Sequence, residues 1–316
     1  MIAWERGWRL ALAFVASSMV TVLIGLVLNW VDRLVSARVQ WRKGPPFFQP
    51  FADILKLLLK QTVIPAGAAR TTFVFAPLLG IVAMSLTAVV LLFANFNTGG
   101  SFVGDLIVLL YLFALPALAV IMGASASRNP IAGVGASREM TLYFAYELPF
   151  LLALLVPVIK VINTPGKLVA DGIRLGQLVA FQQANGPFLY SISGVIAAVI
   201  VLLCIQAKLG FVPFDIAEAE QEIMSGVLVE YSGATLAAFR ITRAMMFVLM
   251  PLFLITVLWG GFANWWAVLK FLAIVVLIVL IKNTNPRLRI DQALRFFWFI
   301  LAPLGIIAVV LAYAGL

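Results

Sequence analysis

Apolar residues run along this chain in blocks of about 20, parted by short polar segments. A helix rises about 1.5 Å per residue and a bilayer core is about 30 Å thick, so each block is long enough to cross a membrane. The pattern predicts spans at about 8–31, 73–95, 104–124, 140–162, 188–207, 232–259, 264–281 and 293–314. Pro116, Pro149, Pro157, Pro251 and Pro303 fall inside these blocks. In a membrane bundle, neighbouring helices can satisfy the carbonyls that a proline frees, so these prolines kink helices without excluding them. The run from Trp8 to Trp30 is too long for the apolar part of a cleaved leader and reads as the first span.

Two connections carry patterns of their own. In 50–61, Phe51, Ile54, Leu55, Leu58 and Leu59 fall at helical spacing, with Asp53, Lys56 and Lys60 on the other side. This predicts an amphipathic helix, either lying along the membrane surface or packed under neighbouring subunits. Residues 165–187 are rich in Gly and Gln and predict an outer loop with a short helix. No internal repeat has a readable period, so the expected architecture is all-α: one polytopic membrane domain over 1–316, with about eight transmembrane helices and a surface helix.

Composition narrows the chemistry. Of 316 residues, 64% are hydrophobic and 11% charged, against about 45–50% and 25% in soluble domains. The excess apolar surface must face lipid. There is one cysteine, Cys204, and no histidine. A lone thiol excludes an intrachain disulfide and the thiolate ligation of an iron–sulfur cluster, and a chain without histidine lacks the usual haem and zinc ligands. No catalytic, metal-binding or cofactor-binding residue is therefore expected, and redox chemistry would belong to other subunits.

The net charge of +9 is read as topology. Connections after the odd-numbered spans hold 14 of the 22 basic residues, and those on the opposite side hold five. The positive-inside rule places the first group in the cytoplasm and both termini outside. Basic residues are not interleaved with exposed aromatics in a soluble domain, so no nucleic-acid partner is expected.

The informative charges are acidic. Asp215, Glu218, Glu220, Glu222 and Glu230 crowd into 207–233, among Phe, Ile, Ala, Met and Val. Glu139 starts the fourth span and Glu147 lies about two turns inside it, while Arg240 and Arg243 sit in the sixth. An ionised group in hydrocarbon costs at least about 2.5–3.5 kcal/mol, so these side chains should pair, face the bundle interior or line water. If helical, Glu218 and Glu222 would share one face. From spacing alone, the acidic segment is either a buried proton-handling cluster or a solvated docking loop.

Three motifs carry a resemblance. PFDIAEAEQEIMSGVLVEYSG at 213–233, RVQWRKGPPFFQPFADILKLLLKQTVIP at 38–65 and GASREMTLYFAYELPF at 135–150 resemble the signature segments of a membrane subunit. It is shared by respiratory complex I, as its subunit 1, and membrane-bound NiFe hydrogenases of the formate hydrogenlyase type. The complex I branch usually reads like RxGPNRVGP and then GALRAAAQ-ISYE. Here 43–46 read KGPP, without the Asn-Arg pair, and 135–140 read GASREM, which is similar to the hydrogenase branch.

The resemblance implies an anchor and proton- or ion-coupling subunit in the cell membrane. Expected partners are hydrogenase-like large and small subunits, an iron–sulfur subunit and antiporter-like membrane subunits. A NiFe centre and iron–sulfur clusters are expected in those partners. The coupling path implied by motif comprises Glu139, Glu147, Asp215, Glu218, Glu220, Glu222 and Glu230, with Arg138, Arg240 and Arg243 as charge partners. Alternatives are the quinone-site subunit of a complex I-type dehydrogenase and the equivalent subunit of a sulfur-reducing relative. A stand-alone transporter would be expected to show matching halves with broken helices, and neither is seen in the sequence.

Overall fold

A computed structural model describes residues 2–97, 99, 101–164, 166–262 and 265–316, with residues 2–10, 220 and 221 described by backbone alone. The chain is an all-α bundle. Its helices are α1 (Ile2–Val39), α2 (Gln49–Leu59), α3 (Arg70–Phe96), α4 (Asp105–Ala126), α5 (Pro130–Ile162), α6 (Val169–Ile173), α7 (Leu175–Asn185), α8 (Ile192–Lys208), α9 (Glu220–Ile223), α10 (Gly233–Leu258), α11 (Trp266–Thr284), α12 (Ile290–Arg295) and α13 (Ala302–Tyr313). A π-helical stretch, Phe296–Leu301, joins the last two into one span.

Among the described residues, seven helical spans are long and apolar enough to cross a membrane; α8 is a shorter apolar helix of 17 residues at the fifth expected position. All eight expected spans are therefore helices. The first and fourth are longer than the hydropathy blocks because their polar ends continue the helix. Asn129 caps α5 by accepting the Ile131 N–H, and Pro130 occupies its first turn. The expected outer loop holds two helices, α6 and α7, rather than one.

Helix α10 is the axis of the bundle. Its most apolar stretch is 89% buried, whereas the corresponding stretch of α1 is 22% buried and faces outward. Beyond Arg243 every residue of α10 to Leu258 is buried. The far end of α10 is closed by amides: Gln182 donates to the Thr256 and Val257 carbonyls and accepts the Gly260 N–H, while Asn95 donates to Thr256 Oγ1. Carbonyls that the helix leaves without partners are thereby satisfied away from water.

Helix α2 rests on α1 and α10 at the other end. Trp30 Nε1 donates to the Pro45 carbonyl at 3.2 Å and its ring meets Phe47 edge-on, fixing the turn before α2. Asp53 faces inward toward Arg33, while Leu55, Leu58 and Leu59 are exposed. The amphipathic helix is confirmed, with an outward leucine edge and a carboxylate turned into the protein.

Candidate functional site

The three sequence motifs meet at the α2 end of the bundle. Gly135 in α5 lies under the 226–227 backbone, and a Cβ there would come within 2.8 Å of the Val227 nitrogen. Gly233, with φ +60°, brings the start of α10 against the Lys60 and Gln61 carbonyls after α2. The Val63 N–H donates to Ser232 Oγ and the Ala234 N–H to Thr62 Oγ1. At the other edge, the Leu288 N–H donates to the Pro213 carbonyl. The acidic segment is therefore fastened to α5, the α2 connection and the α11–α12 turn.

Beneath that segment is a cavity of about 340 Å³. Glu139 on α5, Asp215 and Glu218 from the segment, Lys208 at the end of α8, and Arg240 and Arg243 on α10 all line it. A second cavity of about 250 Å³, between α1, α2 and α10, is lined by Asp32, Arg33 and Asp53. Arg240 and Arg243 line both cavities. Two arginines, one turn apart on the most buried helix, thus face carboxylates on either side.

The pairing alternates in sign. Arg33 bonds Asp53 at 2.8 Å, and Asp53 also accepts from Gln49 at 2.9 Å. Burial alone would raise the Asp53 carboxyl, but the Arg33 and Gln49 hydrogen bonds and the Arg33 and Arg240 charges outweigh it and hold it below its ordinary value. Lys282 bonds Asp32 at 2.7 Å with its ammonium 4.6 Å from the Phe211 ring centre. Arg243 makes a two-pronged pair with Glu218 through both guanidinium nitrogens. Arg287 bonds Asp215 at 2.9 Å. Burial pushes the Asp215 carboxyl above its ordinary value, more than the nearby Arg287 charge offsets.

Deeper still, Lys208 bonds Glu147 at 2.7 Å. The Lys208 side chain is 1% exposed, and its ammonium stands 4.7 and 4.6 Å from the ring centres of Tyr146 and Phe150. The second Glu147 oxygen is buried without a partner.

The expected residues thus divide. Glu139, Asp215 and Glu218 share the cavity, and Glu147 is joined to it through Lys208. Arg138 pairs with Glu222, which is exposed, and Glu230 accepts from Asn129. Glu218 and Glu222 do not share a helical face, because Glu218 lies in a turn before the short α9 and points to Arg243 instead. The Glu220 side chain lies outside the described residues. Sequence reasoning counted Lys208, Lys282 and Arg287 as topology charges and passed over Asp32. The readable signal was position: Lys208 and Asp32 each stand immediately after an apolar run. Among the described residues no group of three Cys, Asp or Glu side chains is placed to hold a metal ion.

Residues 11–313 match the family model described as NADH dehydrogenase. The chain belongs to the complex I subunit 1 family. It is 32% identical to a subunit of the NADH-quinone oxidoreductase of Thermomicrobium roseum, over 96% of this chain and 95% of that one. Identity to NADH-quinone oxidoreductase subunit 8 of Thermus thermophilus is 33%, over 93% and 84%. A chain in the solved membrane-bound sulfane sulfur reductase, an archaeal respiratory membrane complex, superposes with a TM-score of 0.82 at 26% identity, covering 95% of this chain and 98% of that one. This is a multi-pass membrane subunit of a complex I-like respiratory assembly.

Proposed function

We propose that this chain is the membrane anchor and ion-coupling subunit of a ferredoxin-linked, complex I-like NiFe hydrogenase. It would connect a peripheral redox arm at the α2 end to antiporter-like membrane subunits. That end would be cytoplasmic, in a cell membrane, with both termini outside. The NiFe centre and iron–sulfur clusters would lie in the large, small and iron–sulfur partner subunits. GASREM supports the hydrogenase branch, KGPP departs from the complex I pattern, and the likeness to a sulfane sulfur reductase supports a relative of that branch.

The observation that carries the coupling role is the series of charges that lines the two cavities and ends in the buried Lys208–Glu147 pair. It runs from Asp53 and Arg33 through Arg240, Arg243 and Glu218 to Lys208 and Glu147. Charges packed at low effective dielectric respond to one another, so a charge change under the redox arm alters where protons reside along the series. Glu139 takes part as a cavity carboxyl able to gain and lose a proton. In native membrane vesicles, Glu139→Gln should lower the ions exported per electron transferred from reduced ferredoxin or a low-potential dye. An unchanged ratio refutes the coupling role. Nickel in the purified complex together with hydrogen evolution would establish the hydrogenase branch.

A second reading, the quinone-site subunit of a complex I-type dehydrogenase, is favoured by the names of the curated relatives. Quinone extracted from a purified complex that holds iron but no nickel would select it.

A further inference from the structure

Lys208 belongs to two environments. It lines the cavity that holds Glu139, Asp215 and Glu218, and its ammonium bonds Glu147. It is the last residue of α8, followed by Leu209 and by Gly210 at φ +60°, where the acidic segment begins. The groups facing the pair are Tyr143, Tyr146 and Phe150 from α5 and, on its own helix, Cys204. Arg240 and Arg243 face the cavity side. An ammonium this buried is stable as a cation only beside a carboxylate, because breaking a buried pair leaves a charge that nothing offsets.

We propose that Lys208 is a movable charge between two carboxylate positions, bonded to Glu147 in one state and to a cavity carboxylate in the other. The proposal rests on the coupling role above and names the element that gates it. The exchange balances. One proton leaves the Glu139 carboxylic acid in the cavity, and one proton arrives on the Glu147 carboxylate. The ammonium keeps its charge and moves from the newly neutral Glu147 to the newly ionised cavity carboxylate. Each state contains one buried ion pair and one neutral acid, so neither leaves an unpaired buried charge. Lysine suits this role, having a compact charge on a flexible four-carbon stem. The free Glu147 oxygen is the place on that carboxylate where a proton can arrive without first displacing a hydrogen bond.

The test uses the assembled complex. Lys208→Met should abolish ion export per electron, and so should the neutral pair Glu147→Gln/Lys208→Met, which removes both charges together and leaves none unpaired. Wild-type export per electron in the double variant overturns the proposal, since a merely structural pair is replaceable by a neutral one. A second measurement needs no variant. Purified wild-type complex is exposed to formaldehyde and a borohydride at rest and during turnover, and methylation of Lys208 is read by peptide mass. Methylation that rises on turnover is expected; equal methylation in both states overturns the proposal. Glu139→Gln separates the two failures. Full export in that variant sinks the coupling role itself. Lost export there, with normal export in the double variant, leaves the coupling role standing and removes Lys208 from it.

Discussion

Replacing Gly25 with alanine should loosen the crossing that sets the position of Arg243. Gly25 lies in α1 where it meets α10, and a Cβ built there would stand 2.4 Å from the Ala244 carbonyl oxygen and 2.7 Å from its carbon. Ordinary contact begins at 3.4 Å, and backbone cannot turn aside, so the helices must part by about 1 Å. A gap of about 0.5–1 Å forfeits a quarter to a half of each dispersion contact across it. Overpacking of this kind costs about 1–3 kcal/mol. Replacing a helix-interior glycine returns about 1 kcal/mol in helix propensity, leaving a net loss of up to about 2 kcal/mol. For a domain of this size that is a fall of up to about 3 °C in the unfolding midpoint. Because Ala244 follows Arg243, the same displacement shifts the guanidinium that pairs with Glu218, so ion export per electron should fall with stability. The assay is thermal unfolding of the purified complex alongside export in vesicles. Gly133→Ala is the control, because its Cβ meets no atom of the chain within 4 Å. If Gly25→Ala melts with the wild type and exports normally, the close crossing does not position the site.

Two further outcomes test how the acidic segment is held. Tyr231 stacks on Phe73 with ring centres 4.1 Å apart and donates to the Phe73 carbonyl at 3.1 Å, and burial raises its phenol so that the donor proton stays on. Tyr231→Phe should cost about 1 kcal/mol, and Tyr231→Ala about 3–5 kcal/mol, both read as unfolding midpoints. Burial raises the Asp215 carboxyl, so the folded protein binds a proton there more tightly than the unfolded chain does. Stability from this group is then complete below the ordinary aspartate value of about 3.9 and declines as pH rises through the raised one. Asp215→Asn should flatten that part of the stability–pH curve; an unchanged slope refutes the assignment.

Much of this arrangement was legible in the sequence, for a physical reason. A bilayer demands long apolar runs with satisfied backbone, so eight blocks of the right length leave little freedom in fold class. Glu139, Glu147 and Arg243 were visible because a charge within an apolar run is costly and therefore conspicuous. Lys208 and Asp32 stand just past the ends of such runs. Lys208 was absorbed into topology and Asp32 passed over because a charge near the end of a span is also what snorkelling at an interface looks like. What periodicity could not reveal was the path of the 209–232 segment. Its direction is set by long-range fastenings, such as Gly135 under Val227 and Leu288 on Pro213. Those fastenings send Glu218 inward to Arg243 and Glu222 outward to Arg138, where a helical reading would have put them together.

The same fastenings bear on how a signal could travel. A segment tied to α5, α10 and the α11–α12 turn is poorly suited to a large swing, and Asp215, Glu218, Glu222 and Glu230 on it are already partnered. Under the proposed function, the economical change is electrostatic: a proton gained or lost at one carboxylate shifts the balance at the next cation. Arg243 and Arg240 separate the two cavities and hold their charge under all working conditions, since guanidinium does not deprotonate in proteins. They can bias their neighbours but cannot pass a proton. Lys208 differs from both in chemistry and in position, being compact, flexible and set where the cavity meets the buried Glu147. If charge moves from the α2 end into the bundle, Lys208 is the cation in the series whose own rearrangement can carry it, and lysine methylation during turnover is therefore the measurement that most directly reports the event.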